Sequence, residues 1–184
     1  SLACDLSYAL AVEVRRALRP DLRILVMSAT LEADEVAAHL GDADVVRAEG
    51  RMFPVETRYL GDMTMSAAVS RALRETQGDI LCFLPGEGEI RRTAESLSAV
   101  GPGVAILPLY GSLPKDEQDR VLASSNVQKV ILATSIAESS VTIPGISCVI
   151  DSGLMRMPRF SPSTGMSGLV TLPLSQDRAE QRRG

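Results

Sequence analysis

Short apolar runs, spaced along the chain with helix-forming segments between them, restrict what this sequence can fold into. Ile24–Met27, Ile80–Leu84, Val104–Leu109 and Val130–Ala133 are each a few residues of almost unbroken aliphatic character. That is the pattern of a strand covered on both faces. Between them, Val36, Ala37 and Leu40 share a helical face, and Met65–Thr76, Glu87–Ala99 and Lys115–Leu122 read as helices. Strands alternating with helices build βαβ units with right-handed crossovers, so the fold expected is α/β, a parallel sheet with flanking helices.

The ends depart from this rhythm. Leu2, Leu6, Leu10, Val14 and Leu18 recur every four residues and predict a helix, stopped by Pro20-Asp21. Ile24–Met27 then predicts a buried strand that delivers Ser28-Ala29-Thr30 at its carboxyl end, and Gly41 is placed to end the helix that follows. Glu49–Pro54, bracketed by Gly and Pro, reads as a boundary between a unit of residues 1–50 and one of residues 51–184. Past it, Val55, Thr57 and Tyr59 alternate as a strand. Beyond Asp151, Leu154–Phe160, the turn Ser161–Gly165 and Leu169–Leu174 predict a β-hairpin, and Ser175 caps a last helix that carries Gln181.

Composition narrows the class. Of 184 residues, 45% are apolar but only 3% aromatic, so the core must be aliphatic. The formal net charge of -4 argues against a generic basic coat for nucleic acid but allows a local groove. Lys115 and Lys129 are the only lysines; the remaining positive charge is Arg, which suits bidentate phosphate contacts. No run approaches the ~18 apolar residues of a membrane span, and no basic segment precedes an apolar block at the start. A soluble, cytoplasmic protein is expected. Cys4, Cys82 and Cys148 are far apart and show neither metal-ligand nor disulfide spacing, so they are expected as buried small hydrophobes in a reducing compartment. No metal site is expected from the sequence, and His39 lies outside every motif.

The chemistry concentrates after Val130–Ala133, where Thr134, Ser135, Ser139, Ser140 and Thr142 surround the single carboxylate Glu138. Ligands of parallel sheets sit beyond the carboxyl ends of strands, and hydroxyls there suit phosphate and ribose oxygens. A nucleic-acid backbone or a nucleotide is favoured over an apolar ligand.

Thr134–Ile143 resembles motif V of superfamily 2 helicases in its DEAH-box form, Thr-Asn-Ile-Ala-Glu-Thr-Ser-Leu-Thr-Ile. Ser28-Ala29-Thr30 resembles motif III, Ile80–Gly86 motif IV, Leu109–Leu113 the segment after it, and Gln181–Gly184 the opening of motif VI. With Gly50–Glu56 and Phe83–Ile90, the whole chain is most similar to the bacterial HrpB-type ATP-dependent helicases. The resemblance implies a RecA-like sheet of the P-loop NTPase type and an ATP-dependent RNA helicase core, using ATP with Mg2+ and binding single-stranded nucleic acid. Backbone contacts alone leave RNA and DNA undistinguished.

Residue by residue, the resemblance implies that Ser28 and Thr30 couple the nucleotide and nucleic-acid sites. It implies that Thr134 and Ser135 touch the nucleic-acid backbone, Ser135 standing where the family has Asn, and that Glu138 organises the loop. Thr142 would face the nucleotide, and Gln181, the catalytic assignment, the γ-phosphate or attacking water. Gly86, Ser112, Arg156 and Arg159 are candidates for backbone contact. Pro144 stands where many relatives place a ribose-binding Asp, a contact proline cannot make.

No Gly-x-x-x-x-Gly-Lys-Ser/Thr and no Asp-Glu-x-His occurs; Asp34-Glu35 and Asp116-Glu117 follow no strand. The chain is therefore expected to begin just after motif II and to stop inside motif VI, before the arginine-finger positions, and to be inactive alone. Two other readings stand beside this one. The first is a non-catalytic nucleic-acid-binding module; the second is a dinucleotide-binding enzyme, against which counts the absence of Gly-x-Gly-x-x-Gly after the first strand.

Overall fold

Successive side chains of a strand point to opposite faces, and the run beginning at Ile80 is apolar on both, so both faces must be covered. In the computed structural model, which describes residues 2–27, 33–41, 43–47, 54–139 and 143–183, helices supply that cover. Residues 1–54 and 55–184 form two compact units.

In the larger unit, α3 (Met65–Glu75) precedes β1 (Asp79–Phe83), and α4 (Glu87–Ser96) leads to β2 (Val104–Leu109). α5 (Lys115–Leu122) leads to β3 (Gln128–Ala133), and the short α6 (Ile136–Ser139) to β4 (Ile146–Asp151). The four strands are parallel in the order β2-β3-β1-β4. An antiparallel hairpin, β5 (Leu154–Ser161) and β6 (Met166–Pro173), follows, and α7 (Gln176–Arg183) closes the chain. This is the parallel α/β sheet with flanking helices and the hairpin that the sequence predicts.

Alternation explains the core. Ile80, Cys82, Val130 and Leu132 face one side and pack with Val69, Ala72, Ile90 and Leu97 of the α3–α4 layer. Leu81, Phe83 and Ile131 face the other and pack with Leu109 and Val121. Thr64 starts α3 by accepting the Ala67 N–H at 3.3 Å, a cap contributing about 1 kcal/mol. α4 stops short of the expected Ala99 because its last turn tightens: the Leu97 N–H is shared between the carbonyls of Thr93 and Ala94.

At the amino edge of the sheet, Lys129 is 3% exposed. Its Nζ donates to the carbonyls of Val121 (3.0 Å) and Ala123 (3.1 Å) and lies 3.4 Å from Asp79 Oδ2, while its backbone N–H donates to Asp79 Oδ1 at 2.7 Å. A cation at the end of α5 satisfies carbonyls that the helix leaves unpaired.

The strand expected from Val55, Thr57 and Tyr59 does not form. Residues 54–60 carry no ladder, and Tyr59 is almost fully exposed. Side chains hold the segment instead: Arg58 pairs with Glu56 and reaches Glu75 of α3, which also binds Arg71. These hydrogen bonds hold the carboxyls of Glu56 and Glu75 below their ordinary range. The stability they add is therefore complete above the ordinary carboxylate pKa and is lost as pH falls through the lowered values. Glu56, Arg58 and Glu75 are exposed and Arg71 half-exposed, so the effect is small and salt-sensitive.

In the smaller unit, α1 (Leu2–Ala17) and α2 (Ala33–His39) form as predicted, and Gly41 ends α2 at φ +83°. Arg15 Nη2 donates to the Leu40 carbonyl at 3.2 Å. The strand expected at Ile24–Met27 is absent: these residues carry no ladder, with Leu25 and Met27 about as exposed as Leu18. A strand needs a pairing neighbour, and among the described residues of this unit there is none. On α1, Leu6, Leu10 and Val14 are exposed and Val12 is buried. Among the described residues no helix is long and apolar enough to cross a membrane.

Candidate functional site

Parallel strands place all their carboxyl ends along one edge, and this edge gathers segments that lie far apart in sequence. β2 leads into Gly111-Ser112, β3 into Thr134-Ser135, β1 into Pro85-Gly86, and β4 into Ser152 and the hairpin. β3 stands between β2 and β1, so the Thr134–Ser135 turn leaves the sheet from the strand between the other two. One hydrogen bond beyond each strand keeps the loops in line. The Thr134 N–H donates to Leu109 O (3.1 Å), Leu84 N–H to Ala133 O (2.8 Å) and Ser152 N–H to Phe83 O (3.1 Å).

Ser112 and Ser135 are exposed and Thr134 is half-buried. Behind them α6 winds back: Ala137 N–H donates to Thr134 O and Glu138 N–H to Ser135 O. Glu138 itself turns inward, with a side chain 6% exposed. Ser28, Thr30 and Thr142 lie outside the described residues. Gln181 is exposed on α7.

Arg182, the next residue, is 4% exposed. Its Nε donates to Glu138 Oε1 at 2.7 Å, with Nη2 2.6 Å from the same oxygen, and its Nη1 donates to Asp151 Oδ1 at 2.9 Å and to Leu154 O at 3.4 Å. The guanidinium lies over the Phe83 ring, 4.6 Å from its centre, a cation–π contact. Arg178, one turn earlier, donates to Glu138 Oε2 at 3.1 Å. Two arginines thus meet two carboxylates, and the buried charge is balanced. Sequence reasoning named Glu138 but missed Arg182, Arg178 and Asp151 as its partners. The available signal was the i, i+4 spacing of Arg178 and Arg182, which puts both on one helix face, together with an acid ending the apolar strand at Asp151.

The hairpin arginines differ from each other. Arg156 Nη2 lies 3.3 Å from both oxygens of Glu89, and its Nε donates to Thr171 Oγ1 at 3.4 Å. The same guanidinium lies so close to Gly86 that a Cβ there would collide with it. The close approach Gly86 permits is therefore to an arginine of this chain. Arg159 is exposed and has no hydrogen bond or ion pair among the described residues.

The cysteines are not uniformly buried. Cys82 is buried, Cys148 half-buried, and Cys4 exposed on α1. Burial pushes the thiols of Cys82 and Cys148 up, away from the reactive thiolate. Thiol reagent at pH 8 is expected to label Cys4 first and Cys82 only after unfolding, as peptide mass mapping would show.

A four-stranded parallel sheet between helices, with hydroxyls along its carboxyl edge and a hairpin beside them, is the RecA-like domain of a helicase core. The chain belongs to the family of the helicase conserved C-terminal domain, which matches residues 64–184. It is 44% identical to the ATP-dependent RNA helicase HrpB of Escherichia coli, over 100% of this chain and 24% of that protein. It is 40% identical to the ATP-dependent RNA helicase HrpA of the same organism, over 90% of this chain and 14% of that one. The crystal structure of the Escherichia coli DEAH/RHA helicase HrpB superposes with a TM-score of 0.88 at 43% identity, covering 100% of this chain and 25% of that one. The chain thus spans about a quarter of HrpB, and it is homologous to ATP-dependent RNA helicases.

Proposed function

We propose that residues 51–184 are the second RecA-like domain, and residues 1–50 part of the first, of a DEAH-type helicase core that couples ATP hydrolysis to movement along single-stranded RNA in the cytoplasm. One observation carries this reading: Ser112, Thr134, Ser135 and Gly86, from three separate segments, come to one edge of one sheet. Hydroxyls there donate to phosphate oxygens without reading base identity, as a protein that advances along any sequence requires.

ATP supplies the free energy, released at the phosphoanhydride bond. Toward it this chain offers the exposed amide of Gln181, a donor suited to a phosphate oxygen or to holding a water; the hydroxyl of Thr142 is assigned to the nucleotide as well. Among the described residues no group of three His, Cys, Asp or Glu side chains could hold a metal ion, so they are assigned no Mg2+ ligand. Toward RNA, Thr134 and Ser135 hold the backbone, Ser112 and Gly86 flank them, and Arg159 adds charge from the hairpin.

The decisive experiment measures ATP hydrolysis with and without single-stranded RNA, using the full reading frame that encodes this chain. Stimulation by RNA supports the reading; a protein that binds both ATP and RNA yet never hydrolyses ATP sinks it. For single strands, log affinity falls with log salt by about 0.7 per phosphate contact. Arg159→Ala should shallow that slope by about 0.7, whereas Arg156→Ala, whose guanidinium is held at 3.3 Å by Glu89, a carboxylate it shares with Arg92, should shallow it by less. Fluorescence anisotropy across a salt series reads both.

A further inference from the structure

We infer that Arg182 is a positioning residue that joins Gln181 mechanically to the Thr134–Ser135 turn and to the root of the hairpin; the inference rests on the helicase reading above. The links run through short contacts. Gln181 and Arg182 are adjacent on α7, one outward and one inward. Arg182 reaches Glu138, whose backbone N–H is bonded to Ser135 O, and Asp151, which ends β4 three residues before the start of β5. It also binds the Leu154 carbonyl, the first residue of the hairpin.

Nothing in this set is slack. The guanidinium is a planar fork whose donors point in set directions. Here Nε and both terminal nitrogens are engaged, over an aromatic ring and out of water. Away from water, separating these charges is costly. A displacement of α7 by an ångström or two must therefore either break the contacts or carry α6 and the end of β4 along. Arg178, bonded to the other oxygen of Glu138, keeps that carboxylate from swinging free. The side chain that faces the phosphate and the hydroxyls that hold RNA thus move as one body, although Ser135 and Gln181 lie far apart along the chain.

The test uses the full reading frame and two mild variants: Arg182→Lys, which keeps the charge but loses the fork, and Glu138→Gln, which keeps the bulk but loses the charge match. ATPase activity without RNA, ATPase activity at saturating RNA, and RNA affinity are measured for each folded variant. RNA-free turnover and RNA affinity should stay within about threefold of wild type, while the stimulation factor drops on the order of tenfold to a hundredfold, the scale expected when a reacting group is misplaced by about 1 Å. Wild-type stimulation in either folded variant overturns the inference, as does a loss of turnover and RNA affinity in equal proportion, the result of a purely structural role. Should one variant fail to fold, the other decides. Wild-type protein that RNA does not stimulate would instead overturn the helicase reading itself.

Discussion

Arg182→Ala should lower the stability of residues 55–184 by about 3–5 kcal/mol, the range for removing one member of a buried ion pair. The loss is not simply that of the contacts. Glu138, buried, is left with only the half-exposed Arg178 to offset its desolvation, and Asp151, which is exposed, loses its arginine. The Phe83 ring also loses its cover. Against a typical domain stability of roughly 5–15 kcal/mol this is a large fraction. Urea unfolding followed by circular dichroism should show the midpoint fall sharply with the slope retained. A change under about 1 kcal/mol would mean that the pair is open to water in solution and screened like a surface pair.

Lys129→Ala should cost a similar amount, about 3–5 kcal/mol, at the opposite edge of the sheet. The Val121 and Ala123 carbonyls lose their donor and the Asp79 carboxylate loses its cation, although its other oxygen keeps the Lys129 backbone N–H. The pair of substitutions Asp79→Asn and Lys129→Met separates charge from packing. It removes both charges, keeps an acceptor for that N–H, and fills the space, so the double variant should recover about 1–3 kcal/mol of the single-variant loss, within the range of coupling between touching residues. Strict additivity of Asp79→Asn and Lys129→Met in the same unfolding assay would show that the charges do not interact.

These two clusters mark where reading the sequence stops. The larger unit's strands, helices and hairpin were legible because an apolar run must be covered on both faces and the turns between runs leave little choice of connection. Ile80–Leu84 could be placed in a sheet with no knowledge of its neighbours. The candidate site was partly legible for the same reason: hydroxyls directly after β3 can only lie at its carboxyl end. Two expected strands, at Ile24–Met27 and around Val55–Tyr59, failed because local pattern records a preference for extended backbone and not the presence of a partner with which to pair. Arg156 read as a charge available to a ligand and Arg182 only as part of a motif opening, and both are engaged with carboxylates from distant segments, Glu89 and Glu138.

By itself the sequence determined the order of elements, the parallel sheet and the hydroxyl-bearing turn after β3, because periodicity and strand polarity are local properties of a chain. Only the tertiary structure decided which charges face solvent and which are spent inside. A guanidinium's fate depends on what lies within about 3 Å of it, and residues that near in space can stand anywhere along the polypeptide.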